Sequence, residues 1–351
     1  MGNTNWQLTK EQRVSAVQRL TALWAFTESG LGGVMHALQI PFTGLLVGGM
    51  AVIMISLIAE MAGHNHKQIL KSAMIVLIVK AMVSPYTPFP AYIAVSFQAL
   101  LGYGLFRLFK LNFVSIALLS TLAMLESAIQ KILILTLFFG ESLWKAMDSM
   151  IALLANQFGS VVTNGSYWVV GIYLLIYLAG GFFIAWLANN SLKNMHSNNP
   201  GFVLTANGGP DQTLVLPSHA VKKNRYKKLW ILISAMLVLS GFLFVMAADH
   251  KQGWLAVAKT LSWAISAILI WFVLIGPLFT KAIQKLLQKK QSRYHDEVLS
   301  TLSFLPVLKN LTARAWKQSQ LHRGSKRWYF FFASLIHATL TYTEVSSIKT
   351  T

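Results

Sequence analysis

The chain contains no cysteine and only 11 acidic residues among 351. The first absence excludes disulfides, thiolate metal sites and a cysteine nucleophile. The second leaves little material for carboxylate-based catalysis. No G-x-x-x-x-G-K-[ST] phosphate loop occurs, and no H-E-x-x-H or G-x-S-x-G arrangement. No pair of aspartates is suited to holding magnesium and a diphosphate. We therefore expect no enzymatic activity, no cofactor and no metal site. Charge of either sign is also scarce, at 12% of residues, about half of what a soluble domain carries.

Apolar residues take the place of charge. They make up 55% of the chain, with a mean hydropathy of +0.53, and gather into runs long enough to cross a bilayer. The expected fold class is an all-α, polytopic integral membrane protein of about eight transmembrane helices. The predicted spans are Val14–Ser29, Leu45–Ala62, Ile69–Ser84, Ala91–Phe106, Phe113–Phe139, Tyr167–Leu187, Leu229–Ala248 and Leu255–Phe279. Trp328–Leu340 is apolar but too short to span unaided, and fits an interfacial or shortened helix. Residues 1–190 then read as a six-helix membrane domain and 191–228 as a polar cytosolic linker. Residues 229–280 form a two-helix hairpin, and 281–351 a basic cytosolic or interfacial helical tail.

The net charge of +19 does not point to nucleic acid, because the basic residues lie between the apolar runs. Lys10, Arg13, Lys67, Lys71, Arg107, Lys110, Lys193, the cluster Lys222 to Lys228 and the tail fall on one side. The connections Gly30–Gly44, Pro85–Pro90, Gly140–Ser166 and Asp249–Trp254 hold only Lys145 and Lys251. The positive-inside rule puts both termini in the cytosol and the bilayer among the partners, as expected for a multi-pass protein of a cell inner membrane. "MGNTNWQLTKEQR" is polar and reads as neither a signal peptide nor a myristoylation site.

Ionisable groups inside spans are costly and mark functional sites by default. Glu28, Lys80, Gln98, Glu126 and Lys131 are such groups. If the first, third and fifth spans meet, Glu28, Lys80, Glu126 and Lys131 neutralise one another in the outer half of the bundle. That arrangement serves either as structural ion pairing or as a polar pocket for a small solute. "SGLGGVMHALQIPFTG" adds His36 and Gln39 in a glycine-rich outer connection able to close over a ligand. Tyr86 and Tyr92 in "SPYTPFPAY" are first of all interfacial anchors. His64 and His66 read as a solvated turn, not a metal site.

Six spans with both ends inside, that glycine-rich connection, and "VKAMVSPYTPFPAYIAVSFQALLGYGLF" carry a resemblance. The six-span part resembles the substrate-capture component of the energy-coupling-factor transporters, which import vitamins and metals into prokaryotes. In that family small residues at four-residue spacing on the first helix contact a coupling subunit; of that pattern "TALWA" offers only Thr21 and Ala25, a departure from the family. "FLPVLKNLTARAWKQSQLHRG" is similar to the coupling region of the family's transmembrane partner, whose arginines engage cytosolic ATPases. The resemblance implies uptake of a small solute (a vitamin, precursor or metal) and docking of ATPase subunits through Arg323, with Arg314 second. In the tail itself, Ser303 is expected to cap a helix with Pro306 in its first turn. Two further readings stay open: an ion-coupled secondary carrier using Glu28, Glu126 and Lys80, and a membrane assembly protein whose tail recruits a cytosolic partner.

Overall fold

A computed structural model describes residues 9–32, 35, 42–63, 65–84, 87, 89–196, 292–342 and scattered positions between 262 and 287. The predicted span at Leu229–Ala248, most of that at Leu255–Phe279, and the candidates His36 and Gln39 lie outside the described residues. Every described element is helical. The helices are α1 (Lys10–Phe26), which continues through a π-helical turn (Thr27–Leu31), α2 (Thr43–Ala62), α3 (Lys67–Val83), α4 (Phe89–Phe109), α5 (Phe113–Phe139), α6 (Glu141–Gln157) and α7 (Gly165–His196). A short 3-10 turn (Ser292–Tyr294) then leads into α8 (His295–Ser319), and α9 (Ser325–Thr341) follows. Among the described residues α2, α4, α5 and most of α7 are long and apolar enough to cross a membrane.

The chain divides into two compact units. One comprises residues 1–127, 177–205 and 280–351. At its start Thr9 and Gln12 form a reciprocal capping box: Gln12 N donates to Thr9 Oγ1, and Thr9 N to Gln12 Oε1. Helix α2 is apolar all round and sits centrally, packed on α1, α3 and α4. Its residues from Val47 to Ala59 are all buried, as expected of a helix with no polar face. Helices α1 and α3 run parallel, since Thr21 Oγ1 donates to Ser72 Oγ at 2.7 Å and Glu28 pairs with Lys80 further along both.

Close helix crossings in this unit depend on glycine. A Cβ on Gly181 of α7 would lie 3.0 Å from the Thr121 Cα of α5, and at the same crossing Ser120 Oγ donates to the Gly181 carbonyl at 2.7 Å. Small residues that let backbones approach, with a hydroxyl across the gap, are a common way to join helices in lipid. The outward faces of α5 and α7 expose Leu118, Leu122, Phe182, Phe183 and Trp186, side chains that lipid solvates well.

The tail helices also belong to this unit. Helix α8 packs on α1, α3 and α9, and α9 packs on α1. Arg19 Nη1 donates to the Leu340 carbonyl at 2.7 Å, and Lys71 Nζ pairs with Glu297 at 2.6 Å. The expected helix start at Ser303 is corrected: α8 begins at His295, so Pro306 lies inside it. Asp296 and Glu297 occupy its first turn, where carboxylates suit the helix dipole. Ser303 Oγ instead donates to the Ser300 carbonyl. Trp328–Leu340 lies within α9, with Phe331, Leu335, Ile336 and Ala338 buried.

The other unit comprises residues 128–176 and 206–279. Its described part shows that the connection Gly140–Ser166 contains a helix of its own. Helix α6 is amphipathic, with Leu143, Met147, Ile151 and Leu154 at helical spacing. Asp148 Oδ1 accepts the Ser166 N–H at 2.7 Å and so caps the start of α7, beside a contact of Gly165 with Ile151. Trp144 Nε1 donates to Thr136 Oγ1 at 3.2 Å.

Candidate functional site: a buried ion pair

Glu28 stands where α1 loosens into the π-helical turn. Such turns insert a residue, re-aim the side chains that follow, and recur at functional sites. Lys80 comes from the last turn of α3. The two meet with Lys80 Nζ donating to Glu28 Oε2 at 2.6 Å, and each side chain is 4% exposed. Tyr92, buried in the first turn of α4, presents its ring 6.0 Å from the ammonium. Three helices thus converge on one ion pair. A pair this enclosed depends on its own contact for compensation, because burial strips most of the solvent from both groups.

Two further buried polar atoms lie on helices that contribute to the pair or to its surroundings, one on α1 and one on α4. Trp24 lies one turn before Glu28 with no exposed surface, and its Nε1 has no hydrogen-bond partner among the described residues. Gln98 of α4 is 2% exposed, and its Oε1 is likewise without a partner among them. The Gln98 amide lies over Gly48 of α2, with Nε2 3.0 Å from where a Cβ would stand and Met124 Cε 3.1 Å from the same point. One turn away Ser127 covers Gly44 in the same manner. Glycine at 44 and 48 makes room for these side chains against α2. A buried amide oxygen with no partner costs about 1–3 kcal/mol, so Gln98 is tolerated at a price that packing alone does not explain.

Of the residues singled out from the sequence, Glu28 and Lys80 are brought together, and Gln98 is buried against α2. Glu126 is half-buried in α5. Lys131 is exposed and does not join a four-charge cluster. The reason is helical geometry: five residues separate it from Glu126, about 140° around the helix. Arg314 is exposed on α8, and Arg323 is exposed in the turn joining α8 to α9. Thr21 and Ala25, matched above to a subunit-contacting stripe, are buried at 2% and 0% exposure. Both therefore face the interior of this unit. Sequence reasoning passed over Trp24, although its four-residue spacing from Glu28 puts both on one helix face.

No family model matches this chain, and neither the curated proteins nor the solved structures contain a significant match to it.

Proposed function

We propose that this chain is a membrane component of an uptake system for a small polar solute. The Glu28–Lys80 pair forms the polar centre of its binding region, and Gln98 supplies a further acceptor. The observation that carries this reading is the pair itself, buried to 4% exposure on both sides next to a π-helical turn. Intramembrane charges are retained against their cost mainly where they handle a solute, an ion or a proton. With both termini inside, the orientation that the loop charges favour, Glu28 and Lys80 lie toward the outer face, the side from which a solute arrives. The exposed Arg323, in the turn after α8, is the contact offered to a cytosolic partner such as an ATPase, because arginine pairs bidentately with carboxylates. The solute class is that expected from the resemblance: a vitamin, a precursor or a metal complex.

A second reading, ion-coupled secondary transport, draws on the same contact. Glu28 is hydrogen-bonded directly to Lys80, so protonating the carboxylate breaks the pair and leaves an unpaired ammonium. One experiment addresses both. The protein is purified in native lipid discs and its retained small molecules are identified by mass spectrometry. Uptake of the identified solute is then followed in vesicles, with ATP or with a pH gradient. Retention that disappears in Glu28→Gln, with uptake needing ATP and the copurifying ATPase lost in Arg323→Glu, supports the coupled importer. Uptake driven by the pH gradient alone replaces it with the carrier. Absence of any retained solute and of any uptake defect in a deletion strain refutes both.

A further inference from the structure

A pocket of about 190 Å³ lies between the first half of α1 and the start of α8, with Tyr342 at its edge. It is separate from the ion pair: Arg19, which lines it, precedes Glu28 by nine residues, about 13 Å along a helix. Its wall is polar. Ser15, Gln18, Arg19, Ser300, Thr301 and Tyr342 contribute most of it.

The hydrogen bonds of this wall leave donors over. Thr301 and Ser303 have already given their protons to the carbonyls of Glu297 and Ser300. The hydroxyls of Ser15, Ser300 and Tyr342 and the amide of Gln18 have no side-chain partner among the described residues. Arg19 Nη1 is tied to the Leu340 carbonyl at 2.7 Å, which orients the guanidinium; its other N–H groups have no partner among the described residues. Among the described residues no carboxylate lines the pocket. Glu297, one turn before Thr301, is engaged by Lys71 at 2.6 Å, and Asp296 is exposed and outside the lining. An oriented guanidinium with four neutral donors and no competing anion matches an oxyanion with acceptors in three dimensions. A planar carboxylate offers only two oxygens.

We propose that this pocket binds a phosphate group. With the orientation proposed above it faces the cytosol, where the group belongs either to an anionic lipid headgroup or to a soluble phosphorylated molecule. Arginine and hydroxyls reading a phosphate give charge-assisted bonds, roughly twice as strong as neutral ones. The site needs both α1 and the α8–α9 tail, so occupancy also clamps the tail to the membrane helices.

The test uses the full chain in discs of a phosphate-free glycolipid (diglucosyl diacylglycerol), with two probes: phosphatidylglycerol added to the disc, and inorganic phosphate added to the buffer. Native mass spectrometry counts bound lipid, and calorimetry measures phosphate. Wild type is expected to hold one lipid or one phosphate per chain above the disc background. The arm that shows it identifies the source. Arg19→Gln should weaken binding about tenfold or more, since a hydrogen bond to a charged group is lost. Ser300→Leu should fill the pocket and abolish binding. Tyr342→Phe keeps the ring edge that packs on Phe304 and should weaken binding severalfold, so the proposal stays testable if Arg19→Gln does not fold. Lys326→Gln, which removes an exposed charge outside the lining, should have no effect. Failure of both probes to bind overturns the proposal. So does binding that survives all three pocket variants, or a loss in Lys326→Gln as large as in Arg19→Gln.

Discussion

Replacing Glu28 by glutamine, Lys80 by methionine, and both together should give three very different proteins. At 2.6 Å the Coulomb attraction of the pair is ~6 kcal/mol for an effective dielectric constant of about 20. Withdrawing each ion from water costs several kcal/mol. These terms nearly cancel, so the intact pair contributes little net stability. Removing one partner leaves the other charge buried and uncompensated, which costs about 3–5 kcal/mol. The double variant has no charge to desolvate and should recover most of that loss. The assay is equilibrium unfolding of the wild type and the three variants in one lipid–detergent mixture, read as a double-mutant cycle. The coupling energy should exceed about 2 kcal/mol. Single variants within about 1 kcal/mol of the wild type, or a double variant that loses the sum of the singles, would refute the argument. If the double variant folds yet neither retains nor transports solute, the pair has a role beyond stability.

Other perturbations test separate parts of the structure. Gln98→Leu removes the buried acceptor without a partner and should stabilise the fold by about 1–2 kcal/mol while reducing solute retention; unchanged retention would return Gln98 to a packing role. Gly181→Leu forces a side chain into the Thr121 backbone and should destabilise by about 1–3 kcal/mol or more, whereas Ser120→Ala should cost only about 0.5–1.5 kcal/mol, both read by thermal unfolding. Lys71 holds the Glu297 carboxyl below the ordinary glutamate range, chiefly through their hydrogen bond. The folded value is then lower than the unfolded one, so this contribution is fully present above about pH 4.3 and is lost as pH falls through the folded value. Lys71→Gln should flatten that part of an acid titration of stability and cost at most about 1 kcal/mol near neutrality, since the pair is partly exposed.

Much of the helical layout was legible because lipid imposes a simple rule: apolar runs must be helical to satisfy their own backbones. The fifth predicted span, Phe113–Phe139, coincides with α5, one of the helices long and apolar enough to cross a membrane; the third coincides within a residue or two with α3, a helix of 17 residues that is not one of them. The meeting of Glu28 and Lys80 was legible for the related reason that a buried charge needs a partner. Lys131 misled because its spacing from Glu126 was read along the chain and not around the helix. Helix α6 was missed because its apolar residues are interleaved with Glu141, Lys145 and Asp148. It therefore lacks a continuous run, and only a 3.6-residue period betrays it. The place of the tail could not be read at all. Its basic charge describes its solvent face, while its ties to α1 and α3 include single long-range contacts, Arg19 to Leu340 and Lys71 to Glu297. The same limit hid the pocket around Arg19, whose hydroxyls come from distant segments and form no local motif.

The bond from Arg19 to the Leu340 carbonyl joins residues 321 positions apart. At ~5–20 residues per second of synthesis, α1 is made roughly 15–65 s before the helix that completes its packing. During that interval the face of α1 later covered by α8 and α9 is open to lipid or to a chaperone. The guanidinium there has no carbonyl to hold. A ribosome that stops short of α9 leaves a chain whose first helix lacks part of its packing. The closing of α9 onto α1 is thus a late event in biogenesis.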